Sequence, residues 1–136
     1  MSTYGHESVD TFSMDRRTRQ RLDRYEQRYN ELARQVSEIG FIKSGSILKR
    51  QTACGKQNCR CHADPPQLHG PYNLWTAKVN GKTVTRQLPD GEAHLYRTWI
   101  ANDRKLRALI DKMRDVSAKA QDLLLHEERR ARPKSP

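Results

Sequence analysis

The sequence predicts an α+β fold, a small three-stranded antiparallel sheet between two long helices that pack as an antiparallel coiled coil. Three observations carry this. Apolar stripes at heptad spacing run near both ends of the chain. The dipeptide Asn80-Gly81, the preferred type I′ hairpin turn, lies between them. All three cysteines, Cys54, Cys59 and Cys61, crowd just ahead of that hairpin.

Residues 1–13 are polar and aperiodic and read as a disordered tail. Segment 14–40 is the first coiled-coil helix, running over about 14–39. Leu22, Tyr25, Tyr29, Leu32, Val36 and Ile39 recur at alternating steps of 3 and 4, and Gly40 stops the pattern. Ser13 is its expected N-cap, with Asp15 in the first turn. Segment 91–128 repeats the design behind Pro89, with Asp90 as N-cap and Glu92 in the first turn. Its seam is Leu95, Trp99, Asn102, Leu106, Leu109, Met113, Val116, Ala120 and Leu123. Asn102 is the polar member of that seam, of the kind that sets register or oligomer state. The seam beyond Val116 exceeds what the shorter first helix can cover, which calls for a second copy of the chain or a protein partner. The remaining 129–136, "RRARPKSP", reads as a basic disordered tail.

Between the helices, 41–90 forms the β domain. "GSILKRQT" is the first strand and "YNLWTAKVNGKTVTRQL" the hairpin. With Val79 opposite Lys82, Trp75, Ala77, Val84 and Leu88 share a face that can pack on a helix. Lys78, Thr76, Thr83 and Thr85 point the other way.

Only 35% of the 136 residues are hydrophobic and mean hydropathy is −1.00. So thin a core asks for a metal or a partner. Net charge is +10, and it is unevenly placed: residues 45–90 carry 7 Lys/Arg against 2 Asp/Glu. That balance points to nucleic acid or anionic lipid, and no amphipathic stretch shows the Trp/Phe/Leu face of a membrane binder. No 18-residue apolar run occurs, which excludes a membrane span, and no apolar stretch near Met1 resembles a secretory signal. A reducing cytoplasm is the expected compartment, where clustered cysteines act as ligands or catalytic thiols.

Cys54-x4-Cys59-x-Cys61 supplies three soft ligands, one short of a tetrahedral zinc site. His62 directly follows a cysteine and chelates the same ion awkwardly. His69 lies beyond the Pro65-Pro66 bend and is fixed by Gly70-Pro71, so geometry favours Cys54, Cys59, Cys61 and His69 around one structural Zn²⁺. Three reduced thiols without metal, an iron–sulfur cluster and a catalytic thiol are the competing readings. The cluster normally takes four cysteines, and no second motif offers the thiol a base.

The motifs "GSILKR", "CGKQNCRC", "HGPY" and "W.AKVNGKT.TR.LP" resemble an uncharacterised family of small bacterial and archaeal proteins, a domain of unknown function, over about residues 45–125. The resemblance implies that the ligand histidine belongs to "HGPY", hence His69, and that the chain accompanies mobile elements. The hairpin is also similar to the three-stranded arm-binding modules of phage-type tyrosine integrases.

The expected function is non-catalytic binding of nucleic acid, double-stranded DNA, as an accessory factor to a recombinase, transposase or nuclease. The expected contacts are Lys49, Arg50, Lys56, Arg60, Lys78, Lys82, Thr83, Thr85 and Arg86. The alternative is a protein–protein adaptor whose coiled coil docks a partner and whose zinc serves the fold alone. Neither paired carboxylates nor a glycine-rich phosphate loop supports an enzyme, so no catalytic residue is assigned.

Overall fold

A computed structural model describes residues 14–132. The expected tail 1–13, the Ser13 cap and positions 133–136 lie outside the described residues. The elements are α1 (Arg16–Ser37), β1 (Ser46–Thr52), β2 (His69–Val79), β3 (Lys82–Leu88) and α2 (Asp90–Ala131), with a 3-10 turn at Arg60–His62. The sheet is three-stranded and antiparallel in the order β1-β2-β3. The chain forms two compact units. Among the described residues, one draws on 14–38 and 106–132, the other on Ile39–Lys105. No described helix is long and apolar enough to cross a membrane.

In the helical unit, α1 starts on Asp15, whose carboxylate accepts the Thr18 N–H at 2.7 Å. Asp15 is therefore the N-cap rather than a first-turn residue. Its pKa is held below the usual 3.8, chiefly by that backbone hydrogen bond. Met14, Leu22 and Leu123 are buried together, with Tyr25, Ala120 and Leu124 half-covered against them. Ala120, Leu123 and Leu124 of α2 thus meet α1 of the same chain, while Leu125 stays 49% exposed. Helix α2 also continues through Ala131, into the stretch expected to be disordered. Buried Glu127 holds it there by accepting from Arg130 Nη2 at 2.8 Å and Nε at 3.1 Å.

In the β unit, Asn80 and Gly81 have φ of 52° and 80°, the positive values a type I′ turn requires. The turn fixes the register: Val79 opposes Lys82, Ala77 opposes Val84, and Trp75 opposes Arg86. Trp75, Ala77 and Leu88 accordingly share a face and form a core with Ala93, Tyr96 and Ile100 of α2. Ile47, Val84 and Trp99 pack around it. The face of α2 that meets the sheet is Ala93–Tyr96–Ile100 with Trp99 at its edge, and Leu95 of the expected seam lies off it. Leu95 is 50% exposed while Ala93 is fully buried, because only a small residue lets the helix approach the strands. Asp90 lies within the first turn rather than capping it. Its carboxylate accepts from Asn73 Nδ2 at 2.7 Å, and Arg97 donates to Asn73 Oδ1 at 3.0 Å. A buried amide is thereby paired at both ends.

The segment joining α1 to β1 is pinned at three points. Asn102 Nδ2 donates to the Phe41 carbonyl at 2.8 Å, the Lys43 N–H donates to the Trp99 carbonyl at 3.1 Å, and Trp75 Nε1 donates to the Ser44 carbonyl at 3.0 Å. Asn102 therefore secures this segment instead of setting a helix register. The Lys43 ammonium lies over the Trp75 ring at 4.7 Å and the Tyr96 ring at 5.0 Å, a cation–π contact with both.

Candidate metal centre and basic surface

The centre is assembled where β1 ends and β2 begins. A register shift between Arg50 and Thr52 sets Thr52 opposite His69, and Cys54 follows two residues on. A tight turn carries the chain back, with the Cys59 N–H donating to the Lys56 carbonyl at 3.2 Å. Cys59 caps the 3-10 turn and Cys61 sits within it, buried. The exposed Pro65-Pro66 loop is closed by the Gln67 N–H donating to the Arg60 carbonyl at 3.1 Å, and delivers His69 to the head of β2. Gly70 has φ of 104°, and a side chain there would meet the Arg50 carbonyl at 2.9 Å, so the ligand strand can pass only as glycine.

One ligand atom from each of Cys54, Cys59, Cys61 and His69 lies within 4.8 Å of all the others, so the four are close enough to hold a metal ion. Cys54 Sγ and Cys61 Sγ are 3.6 Å apart, and Cys59 Sγ is 3.2 Å from His69 Nε2. Bonds of about 2.3 Å to sulfur and 2.0 Å to nitrogen in a tetrahedron separate sulfurs by about 3.8 Å and sulfur from nitrogen by about 3.5 Å. The set fits a small tetrahedral cation and is compatible with zinc. His62 is committed elsewhere, its Nε2 donating to the Cys54 carbonyl at 2.7 Å.

The backbone prepares the thiols for ligation. The Cys54 N–H donates to Cys61 Sγ at 3.3 Å. Cys59 is lowered to about 6, foremost by the Cys61 backbone N–H, with the Cys61, Cys54 and His69 side chains adding to it. Burial pushes the Cys61 thiol up. A Cys59 thiolate at neutral pH is the form that binds metal.

The family comparison can be set beside this geometry. A family model described as a domain of unknown function (DUF6788) matches residues 16–97, from α1 through the centre and into α2. The chain belongs to that family. No significant match was found among curated proteins or solved structures. The matched span holds all four residues of the Cys3His cluster and the whole sheet.

The expected nucleic-acid contacts divide between two faces and a loop. Arg50, Lys78, Thr83 and Thr85 lie on the face away from the core, and Lys49, Lys82 and Arg86 occupy positions of core-facing parity. Lys56 and Arg60 are exposed on the cysteine loop. Arg86 is occupied within the protein: it lies over Trp75 at 5.9 Å and its Nη1 donates to the Tyr96 hydroxyl at 3.3 Å. The side chains of Lys49, Arg50, Lys56, Arg60, Lys78 and Lys82 have no such contact among the described residues. The Asn73–Asp90–Arg97 network and the bridging Lys43 were not anticipated. Neither has a spacing signal, since both depend on which α2 face meets the sheet.

Proposed function

We propose that the protein is a non-catalytic nucleic-acid-binding protein, acting on double-stranded DNA, whose β unit is folded around one structural Zn²⁺ held by Cys54, Cys59, Cys61 and His69. The observation that carries the reading is the surplus of uncommitted cations. Residues 39–105 contain 11 Lys/Arg against 4 Asp/Glu, and eight of those cations, six in the β domain plus Arg104 and Lys105 of α2, are exposed with no partner among the described residues. Surface charge of mixed sign serves solubility, whereas an unbalanced, unpaired group is an electrostatic footprint for phosphate. Four protein ligands fill a tetrahedral ion and leave no position for a reacting water, which supports a structural role.

In this proposal the helical unit, with α1 and α2 paired as an antiparallel coiled coil, docks the partner. The resemblance to companions of mobile elements suggests a recombinase, transposase or nuclease. Fluorescence anisotropy with a labelled mixed-sequence DNA duplex tests the first part. The logarithm of affinity should fall linearly with the logarithm of salt concentration, by about 0.9 per phosphate neutralised. Replacing Lys78 and Lys82 together by Glu should weaken binding by more than about tenfold at moderate salt while zinc content stays unchanged. Salt-independent or absent binding sinks the DNA reading and leaves the adaptor alternative.

A further inference from the structure

The open face of the sheet has a composition distinct from the rest of the surface. Cross-strand pairing orders it in rows: Lys78–Thr83, then Ser46–Thr76–Thr85, then Leu48–Leu74–Gln87, then Arg50–Tyr72. None of the three strands contains an Asp or Glu. Leu48 is 63% exposed, and Thr83, Thr85 and Gln87 are exposed beside it. Hydroxyl, amide and methyl groups thus fill the middle, with a cation at each end.

We infer that this face reads the major groove of B-form DNA, with Thr76, Thr83, Thr85 and Gln87 at base edges and Lys78 and Arg50 on the two flanking phosphate backbones. The inference rests on the nucleic-acid reading above and specifies its substrate. Six residues of β2 separate the Lys78 row from the Arg50 row, about 20 Å at strand rise. A major groove is about 12 Å wide and admits a β ribbon, so cations spaced this way reach phosphates on both rims. Amide and hydroxyl groups between them match base-edge donors and acceptors, and Leu48 with Leu74 suits thymine methyls. A single strand is bound instead by several exposed aromatic platforms; this face carries one aromatic, Tyr72, and it is half-buried.

Zinc-loaded full-length protein is titrated by anisotropy against one sequence as a DNA duplex, an RNA duplex and a single DNA strand. The DNA duplex should bind tighter than either by on the order of tenfold, because the A-form major groove is too deep and narrow for side chains to read. Two variants with the same charge change locate the surface. Thr85→Glu, on the open face, should weaken DNA binding on the order of tenfold, and Lys49→Gln, on the opposite parity, by less than about threefold. If Thr85→Glu loses zinc or its circular dichroism spectrum, Gln87→Ala is read in its place, with an expected loss of about fivefold. Equal binding of all three nucleic acids, or equal effects of the two faces, overturns the groove assignment and leaves nucleic-acid binding standing. Binding to none of them overturns the proposed function as well. Self-association that Thr85→Glu abolishes, with DNA affinity unchanged, assigns the face to a second copy instead and likewise overturns it.

Discussion

Two histidines flank the metal centre, and substituting each in turn separates ligand from neighbour. His69 Nε2 lies 3.2 Å from Cys59 Sγ, inside the four-atom cluster, whereas His62 Nε2 is bound to the Cys54 carbonyl. Structural zinc sites release about 10–16 kcal/mol on binding. Shared over four ligands, each supplies about 3–4 kcal/mol, a few hundredfold in affinity. His69→Ala should therefore weaken zinc by a few hundredfold. His62→Ala removes a hydrogen bond to the backbone of a ligand and should cost about tenfold, the low end for groups that orient ligands. Competition against a chromophoric chelator gives the affinities, and elemental analysis of the purified proteins gives the stoichiometry. Wild type and His62→Ala should hold about one zinc per chain. Full zinc affinity in His69→Ala, or a larger loss in His62→Ala, refutes the ligand assignment.

Three further outcomes test the frame around the centre. A methyl group at Gly45, where φ is 112°, would fall 2.5 Å from Trp75 Nε1 and 2.7 Å from the Thr76 carbonyl. Gly45→Ala should cost about 2–5 kcal/mol in urea unfolding, from backbone strain and displacement of a buried indole; a change below 1 kcal/mol contradicts the packing. Leu88→Ala, at a position 4% exposed in the sheet core, should cost about 2–5 kcal/mol by the same measurement. Asp15 has a depressed folded-state pKa, so its cap stabilises the helix above the ordinary carboxylate range and is lost as pH falls through that lower value. Asp15→Ala should then melt earlier than wild type at neutral pH and match it in strong acid. A deficit of the same size in acid would rule out the carboxylate as its source.

The parts legible in the sequence are those fixed by local geometry. Asn80-Gly81 demands positive φ at two successive residues, which sets the hairpin register and through it the core-facing side of β2 and β3. The grouping of Cys54, Cys59, Cys61 and His69 follows equally from short-range constraint, three thiols on a tight turn and a histidine returned by two prolines. What escaped was decided at long range. Heptad arithmetic weights large apolar residues, so it chose Leu95 over Ala93, although a sheet rewards a small side chain at the closest approach. One helix serving two partners in succession also has two apolar stripes, and a single repeat cannot describe both. The cap fell on Asp15 because its carboxylate reaches the Thr18 N–H, a choice between neighbouring capping residues that composition does not rank. The hairpin register also set the facing of its cations, and Arg86, paired across from Trp75, is held by Trp75 and Tyr96.

Strand β2 carries a member of the Cys3His cluster at its first residue, His69, and core residues at Trp75 and Ala77. On the proposed zinc site, His69 and Trp75 answer to different chemistry, coordination at one and solvent exclusion at the other, about 20 Å apart. A chelator acts on one end only. Amides around residues 52–70 should then open to hydrogen exchange well before those of 75–88, turning the cysteine loop into a melted flap on a sheet that persists. Metal supply would in that way govern which cations are held in place: Lys56 and Arg60 ride on the flap, while Lys78 stays on the hairpin.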